Sequence, residues 1–182
     1  MKHNSIYILI FLLCVNCRAG RAQDIKYDCR LFEGDFNELE YVNGTSIETS
    51  FTDFTQDVGD GVFFINRFLG HSKFYKAILL KKDNEKTVVV DLLKKERQVM
   101  LVGEEQKNLG EILGNIEKGS FRQACFNSPS EGSISVLIVK VKGVTVLKYE
   151  AGQHDYSHLN EDEKVKIKNA LELIKLLINT VN

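Results

Sequence analysis

The end of the chain constrains the fold most. Residues 133 to 149 read as a β-hairpin and residues 160 to 181 as a long amphipathic helix, so a sheet with a helix lying on it must be built. Ser133 to Val141 (Ser-Ile-Ser-Val-Leu-Ile-Val-Lys-Val) and Val144 to Tyr149 (Val-Thr-Val-Leu-Lys-Tyr) flank Lys142-Gly143. A two-residue turn pairs Val141 with Val144, Val139 with Val146 and Leu137 with Lys148 on one face. The other face then carries Lys140 with Thr145, Ile138 with Leu147 and Val136 with Tyr149. The base is apolar on both faces, which places the hairpin inside a sheet. Gly143 suits the positive φ of a tight turn; Lys142 is not a preferred companion for it.

The helix has a start signal. Asn160 is placed to cap it, and Glu163 stands where a capping-box carboxylate reaches back. Glu161, Asp162 and Glu163 put negative charge in the first turn, as the helix dipole favours. Ile167, Ala170, Leu171, Ile174, Leu177, Ile178 and Val181 share one stripe, widened by Leu173 and Leu176. The stretch is too short and too charged at its flanks to span a membrane. Packing on the sheet is expected, since an apolar face stabilises a helix mainly by being buried. A partner-binding or membrane-surface helix is the alternative.

The other end of the chain carries an export signal. Residues 1 to 22 read as a signal peptide: Lys2 is followed by an apolar run from Ile6 to Val15, and Gly20 and Ala22 stand at cleavage spacing. The mature chain is expected to start near Gln23 and to be secreted or periplasmic. A lipid anchor at Cys17 is the second reading, disfavoured because Leu13 and Asn16 are bulky residues before Cys14 and Cys17. Removal of Lys2, Arg18 and Arg21 from the 24 basic residues leaves 21 against 25 acidic, a net charge of −4. That argues against a nucleic-acid binder, which should show a basic stripe, and gives no polybasic patch for anionic lipid, so neither nucleic acid nor a lipid surface is expected as a partner. Residues 23 to 182 fit one domain with its own core.

Two cysteines remain in that domain, Cys29 and Cys125. An exported pair of this kind is expected to form a disulfide. Neither belongs to a C-x-x-C, which weighs against a redox or nucleophilic thiol.

Between the cysteines the pattern is β-rich. Ile25 to Phe32 is read as a first strand. Leu39 to Val42 and Thr45 to Phe51 flank Asn43-Gly44, a strong hairpin signal, although the alternation around it is imperfect. Asn43-Gly44-Thr45 is also a glycosylation sequon. Asp53 to Gly61 reads as a polar loop, and Val62 to Leu69 as a buried strand or short helix. Phe74 to Leu80, Thr87 to Leu93 and Gln98 to Val102 read as an antiparallel meander with charged breaks. Leu109, Ile112, Leu113 and Ile116 give Glu104 to Lys118 a helical period, with Gly119 as its stop. Gly110 and Gly114 would admit close packing or simply weaken that helix. Phe121 to Gly132 reads as a loop. The fold expected is α+β: a mostly antiparallel sheet of six to eight strands with two helices, the long C-terminal one on the sheet.

Candidate functional residues are few. His154-Asp155-x-x-His158 is the one metal-like constellation; it has no third ligand and lies between a strand and the helix cap. Phe51, Phe54, Phe63, Phe64 and Phe68 form a phenylalanine-rich segment that is either core or a binding patch. G-x-S-x-G, H-E-x-x-H and phosphate-binding glycine loops are missing, so no catalytic residue and no cofactor is expected. The composite expectation is an exported, non-enzymatic module that binds another protein, of the inhibitor or immunity type. The alternatives are a small-ligand carrier with an aromatic-lined cavity and a small hydrolase using His154 or His158.

Overall fold

A computed structural model describes residues 28–68, 73–83, 86–94, 97–126, 132–152 and 158–182. Residues 1–22 with the Cys17 and Ala22 readings, and His154 and Asp155, lie outside these. One sheet of eight strands organises the molecule: β1 (Asp28–Glu33), β2 (Asp60–Phe68), β3 (Phe74–Asp83), β4 (Lys86–Asp91), β5 (Gln98–Leu101), β6 (Gly119–Phe126), β7 (Ser133–Val141) and β8 (Val144–Gly152). Their order across the sheet is β1-β6-β8-β7-β2-β3-β4-β5. Every neighbouring pair is antiparallel except β6 with β8. The expected meander is β3-β4-β5, and the apolar run after Gly61 is the strand β2. The α+β class and the mostly antiparallel sheet agree with expectation. The described residues hold three α-helices rather than two: α1 (Glu48–Gln56), α2 (Glu104–Gly114) and α3 (Glu161–Val181).

The first face of the sheet is a continuous apolar surface that draws on all eight strands, from Cys29 on β1 through Phe121, Tyr149, Leu137, Phe64 and Ile78 to Val89 and Leu101. Helices α2 and α3 cover it. Leu109 and Ile112 point in from α2, and Ile167, Ala170, Leu173, Leu177 and Val181 from α3. The buried line of α3 thus centres on Leu173, while Leu171, Ile174 and Ile178 flank it half-buried. The capping box is complete. Asn160 Oδ1 accepts from the Glu163 N–H at 2.9 Å, and Glu163 Oε2 accepts from the Asn160 N–H at 3.1 Å. A Cβ at Gly110 or Gly114 would meet nothing within 4 Å, so neither glycine serves close packing. Helix α2 ends at Gly114, and Gly119 opens the strand β6.

Among the described residues, the second face is covered mainly at its centre. Residues 34 to 57 cross β7, β2 and β3, where Phe36, Val42, Ile47, Phe51 and Phe54 pack on Phe63, Ile65, Ala77, Leu79, Val136 and Ile138. Here the structure corrects the sequence. Leu39–Val42 and Thr45–Phe51 are not hairpin strands: Glu38–Tyr41 is a 3₁₀ turn, and Glu48 opens α1. Gly44 keeps its positive φ of 70°, but the turn it makes is held by Glu48 Oε2, which accepts its N–H at 2.7 Å. The span read as a polar loop from Asp53 is helix as far as Gln56, and the strand resumes at Asp60. Phe121 to Phe126 is likewise not a loop but most of β6.

The β7-β8 hairpin forms with the expected turn and tip pairs, Val141↔Val144 and Lys140↔Thr145. Both Lys142 and Gly143 take positive φ, 53° and 72°, as a two-residue turn of the primed type requires. Beyond the tip the register shifts by one, so Val139 pairs with Leu147, Ile138 with Lys148 and Leu137 with Tyr149. The shift places Leu147 and Tyr149 on the helix-covered face and Lys148 on the other. A slip of one residue exchanges the two faces of a strand, and the shifted register is the one that buries the apolar set.

Cys29 and Cys125 face each other across β1 and β6 and are joined, their Cα atoms 3.9 Å apart. The disulfide therefore fixes an edge strand to its neighbour.

Candidate functional site

The residues singled out in sequence do not converge. Phe51, Phe54 and Phe63 are buried together under α1, with the Phe51 and Phe63 rings 5.0 Å apart edge to face. Phe64, adjacent in sequence, points to the opposite face and into the other core cluster, as strand alternation demands. Only Phe68 is substantially exposed, stacked on Tyr75 at 3.8 Å. His158 is exposed on the surface just before the α3 cap. Among the described residues no three His, Cys, Asp or Glu side chains group as a metal site would.

Two lysines of the second face, Lys140 and Lys148, hold the 34–57 segment down. Lys140 is 3% exposed. Its ammonium donates to the carbonyls of Phe54 at 2.8 Å, Thr55 at 3.1 Å and Asp57, and lies over the Phe54 ring. A cation at the end of α1 meets the negative pole of the helix, which is where a buried lysine is stabilised. One strand over, Lys148 bonds Asp35 at 2.7 Å and Glu38 at 3.0 Å. Burial alone would lower the Lys148 pKa; the two carboxylates outweigh it and raise it. The Lys148 hydrogen bond, with the Phe36 N–H, lowers Asp35 in turn. Arg122 pairs with the buried Glu150 at 3.0 Å. Burial, then the neighbouring Glu150, raises the Tyr41 hydroxyl pKa. On the first face, burial raises that of Tyr149, whose hydroxyl donates to Gln123 Oε1 at 2.7 Å.

Two glycines permit this close assembly. A Cβ at Gly143 would meet the Val58 carbonyl oxygen at 2.8 Å, and one at Gly61 would meet the Leu80 carbonyl at 2.9 Å and the Phe54 ring at 3.1 Å.

Three surface grooves of about 470, 410 and 400 Å³ lie on the helical layer, bordered by Glu105, Asn108, Glu172 and Lys175 among others. All three open broadly to solvent, and none is lined by the phenylalanines.

What remains is a surface. Among the described residues, the 34–57 segment does not extend over the outer strands at either end of the second face. On the β4-β5 wing, Val88, Val90 and Met100 stand in register on that face, with Val88 opposite Met100. Met100 is 52% exposed, and Val88 and Val90 are half-buried. On the opposite wing Phe32 and Phe126 meet edge to face, both largely exposed. Contiguous apolar side chains on a sheet face suit contact with another protein. They were legible only once the segment that covers the centre was placed. Strand alternation alone marks the positions as a face, without showing whether a helix lies on it.

No protein-family model matches the chain, and no curated protein or solved structure matches it at a significant level.

Proposed function

We propose that the protein is an exported, non-enzymatic module that binds another protein, of the inhibitor or immunity type. The β4-β5 wing carries this reading: half-buried Val88 and Val90 and exposed Met100 form an apolar strip on that face of the sheet. Supporting it are the Cys29–Cys125 disulfide, suited to an oxidising compartment, and the export-type sequence of residues 1 to 22. No helix among the described residues is long and apolar enough to cross a membrane. Lys140 and Lys148 on the second face serve structural contacts to the 34–57 segment, which leaves the apolar strip of β4 and β5, with the exposed Lys81 opposite Val88, for recognition.

The test is capture from the native host's exported fraction with the tagged, oxidised protein as bait. A stoichiometric partner is expected with the unaltered bait and is lost with Val88→Lys/Val90→Lys, whose positions lie on the exposed face. Thermal unfolding of the variant checks that the fold is retained. Capture unaffected by the double substitution would overturn the assignment of the binding face, and the lack of any partner would overturn the binding function.

A further inference from the structure

The two edges of the sheet are treated differently. The β1 edge is closed: the outward N–H of Leu31 donates to Glu163 Oε1 at 2.9 Å, and Lys166 pairs with Glu33 at 2.5 Å. The N-terminal turns of α3 thus occupy the middle of that edge and obstruct a further strand there. The β5 edge has no such cover among the described residues. Its phase is set by the bond from the Asp91 N–H to the Arg97 carbonyl at 3.1 Å, between residues in register. Alternation then directs the backbone groups of Arg97, Val99 and Leu101 toward β4, and those of Gln98, Met100 and Val102 outward. Gln98 to Gly103 carries no charge, although exposed edges ordinarily do. Met100 and Val102 are 52% and 62% exposed.

We propose that a second copy of this chain adds to the β5 edge, antiparallel, making one sheet across a two-fold axis. Such an axis, normal to the sheet, keeps each face on its own side and pairs outward residues with outward residues. Met100 then meets Met100 of the second copy, and Gln98 meets Val102. The charges at the strand ends decide for self-association. Exposed Lys94 and Arg97 precede the strand, and exposed Glu104 and Glu105 follow it. Antiparallel pairing brings the basic end of each copy to the acidic end of the other; parallel pairing would set like charges together. The closed β1 edge stops growth at two copies, as a closed point group requires. The Val88-Met100 strip of each copy then continues into that of the other. This dimer does not depend on the proposed binding function.

Sedimentation equilibrium of the oxidised protein, from about 1 to 500 µM, tests it. A reversible monomer–dimer equilibrium is expected. Met100→Pro removes only an outward N–H and leaves the β4 ladder intact, so it is expected to weaken the dimer at least about tenfold with the melting temperature little changed. Arg97→Glu should weaken it as well, and adding Glu104→Arg should restore it. If Met100→Pro proves unfolded, the charge reversal and its rescue decide. A monomer throughout the range overturns the proposal, as does a dimer indifferent to both the proline and the charge reversal.

Discussion

Lys140 is a single residue on which the second face depends. It lies in the apolar strand β7, and its pairing with Thr145 near the hairpin tip follows from the sequence. Its burial does not, because burial depends on a helix from a stretch 86 residues earlier, to whose carbonyls it donates. Lys140→Met keeps the side chain's stem and deletes the ammonium from the Phe54, Thr55 and Asp57 carbonyls. Leaving buried acceptors unmet costs roughly 1–3 kcal/mol. A drop of that size is expected in urea unfolding, with an unchanged denaturant slope. Lys140→Ala, which also opens a cavity beside Phe54, should cost more. Gly143 was legible as a turn residue for its backbone freedom. The second demand on it, the approach of the Val58 backbone, comes from the same unseen contact.

At the scale of elements, α3 was legible almost residue for residue, since its cap, its acidic first turn and its stripe all agree with one another. The stretch from 38 to 56 was not. Asn43-Gly44 is a strong local hairpin signal, yet Ile47, Phe51 and Phe54 already recur at helical spacing, and burial of those three decided the outcome. β6 was obscured for a different reason. Its inward positions are Phe121, Gln123 and Cys125, and a buried glutamine does not read as core until Tyr149 is there to bond it. The register shift in β8 was illegible because the turn alone fixes only the tip pairs. Glu163 joins two elements, capping α3 and closing the β1 edge with its two oxygens. Glu163→Ala is expected to cost about 1–2 kcal/mol, typical of a lost cap plus a hydrogen bond. Amide exchange should accelerate at Leu31 as well as in the first turn of α3. Protection retained at Leu31 would show that the edge is closed by something else.

On the scale of the whole molecule, the disulfide spans a sequence separation of 96 residues and encloses α1, α2 and the strands β2 to β5. Its pairing was legible because only two cysteines remain once residues 1 to 22 are read as a signal peptide. Its placement across the outermost two strands was not. The pair Cys29→Ala/Cys125→Ala is expected to lose roughly 4–5 kcal/mol in the chain-entropy model, read as a lower urea midpoint. Amides of β1 should lose protection before those of β2 and β7, because β1 has a partner strand on one side only.

The one parallel contact, between β6 and β8, carries a consequence in time. β8 lies between β6 and β7, although both precede it in the chain. Until Val144 to Gly152 has left the ribosome and any export channel, the β1-β6 pair has no strand to join it to the rest of the sheet. Before that point only two incomplete sheets can form, and α3, which covers the joint, follows β8 in the chain. Completion waits on pairings distant in sequence, the kind that fold slowly. A chain built in this order cannot close its sheet, or bury the apolar face that α3 covers, until β8 and α3 have both been made.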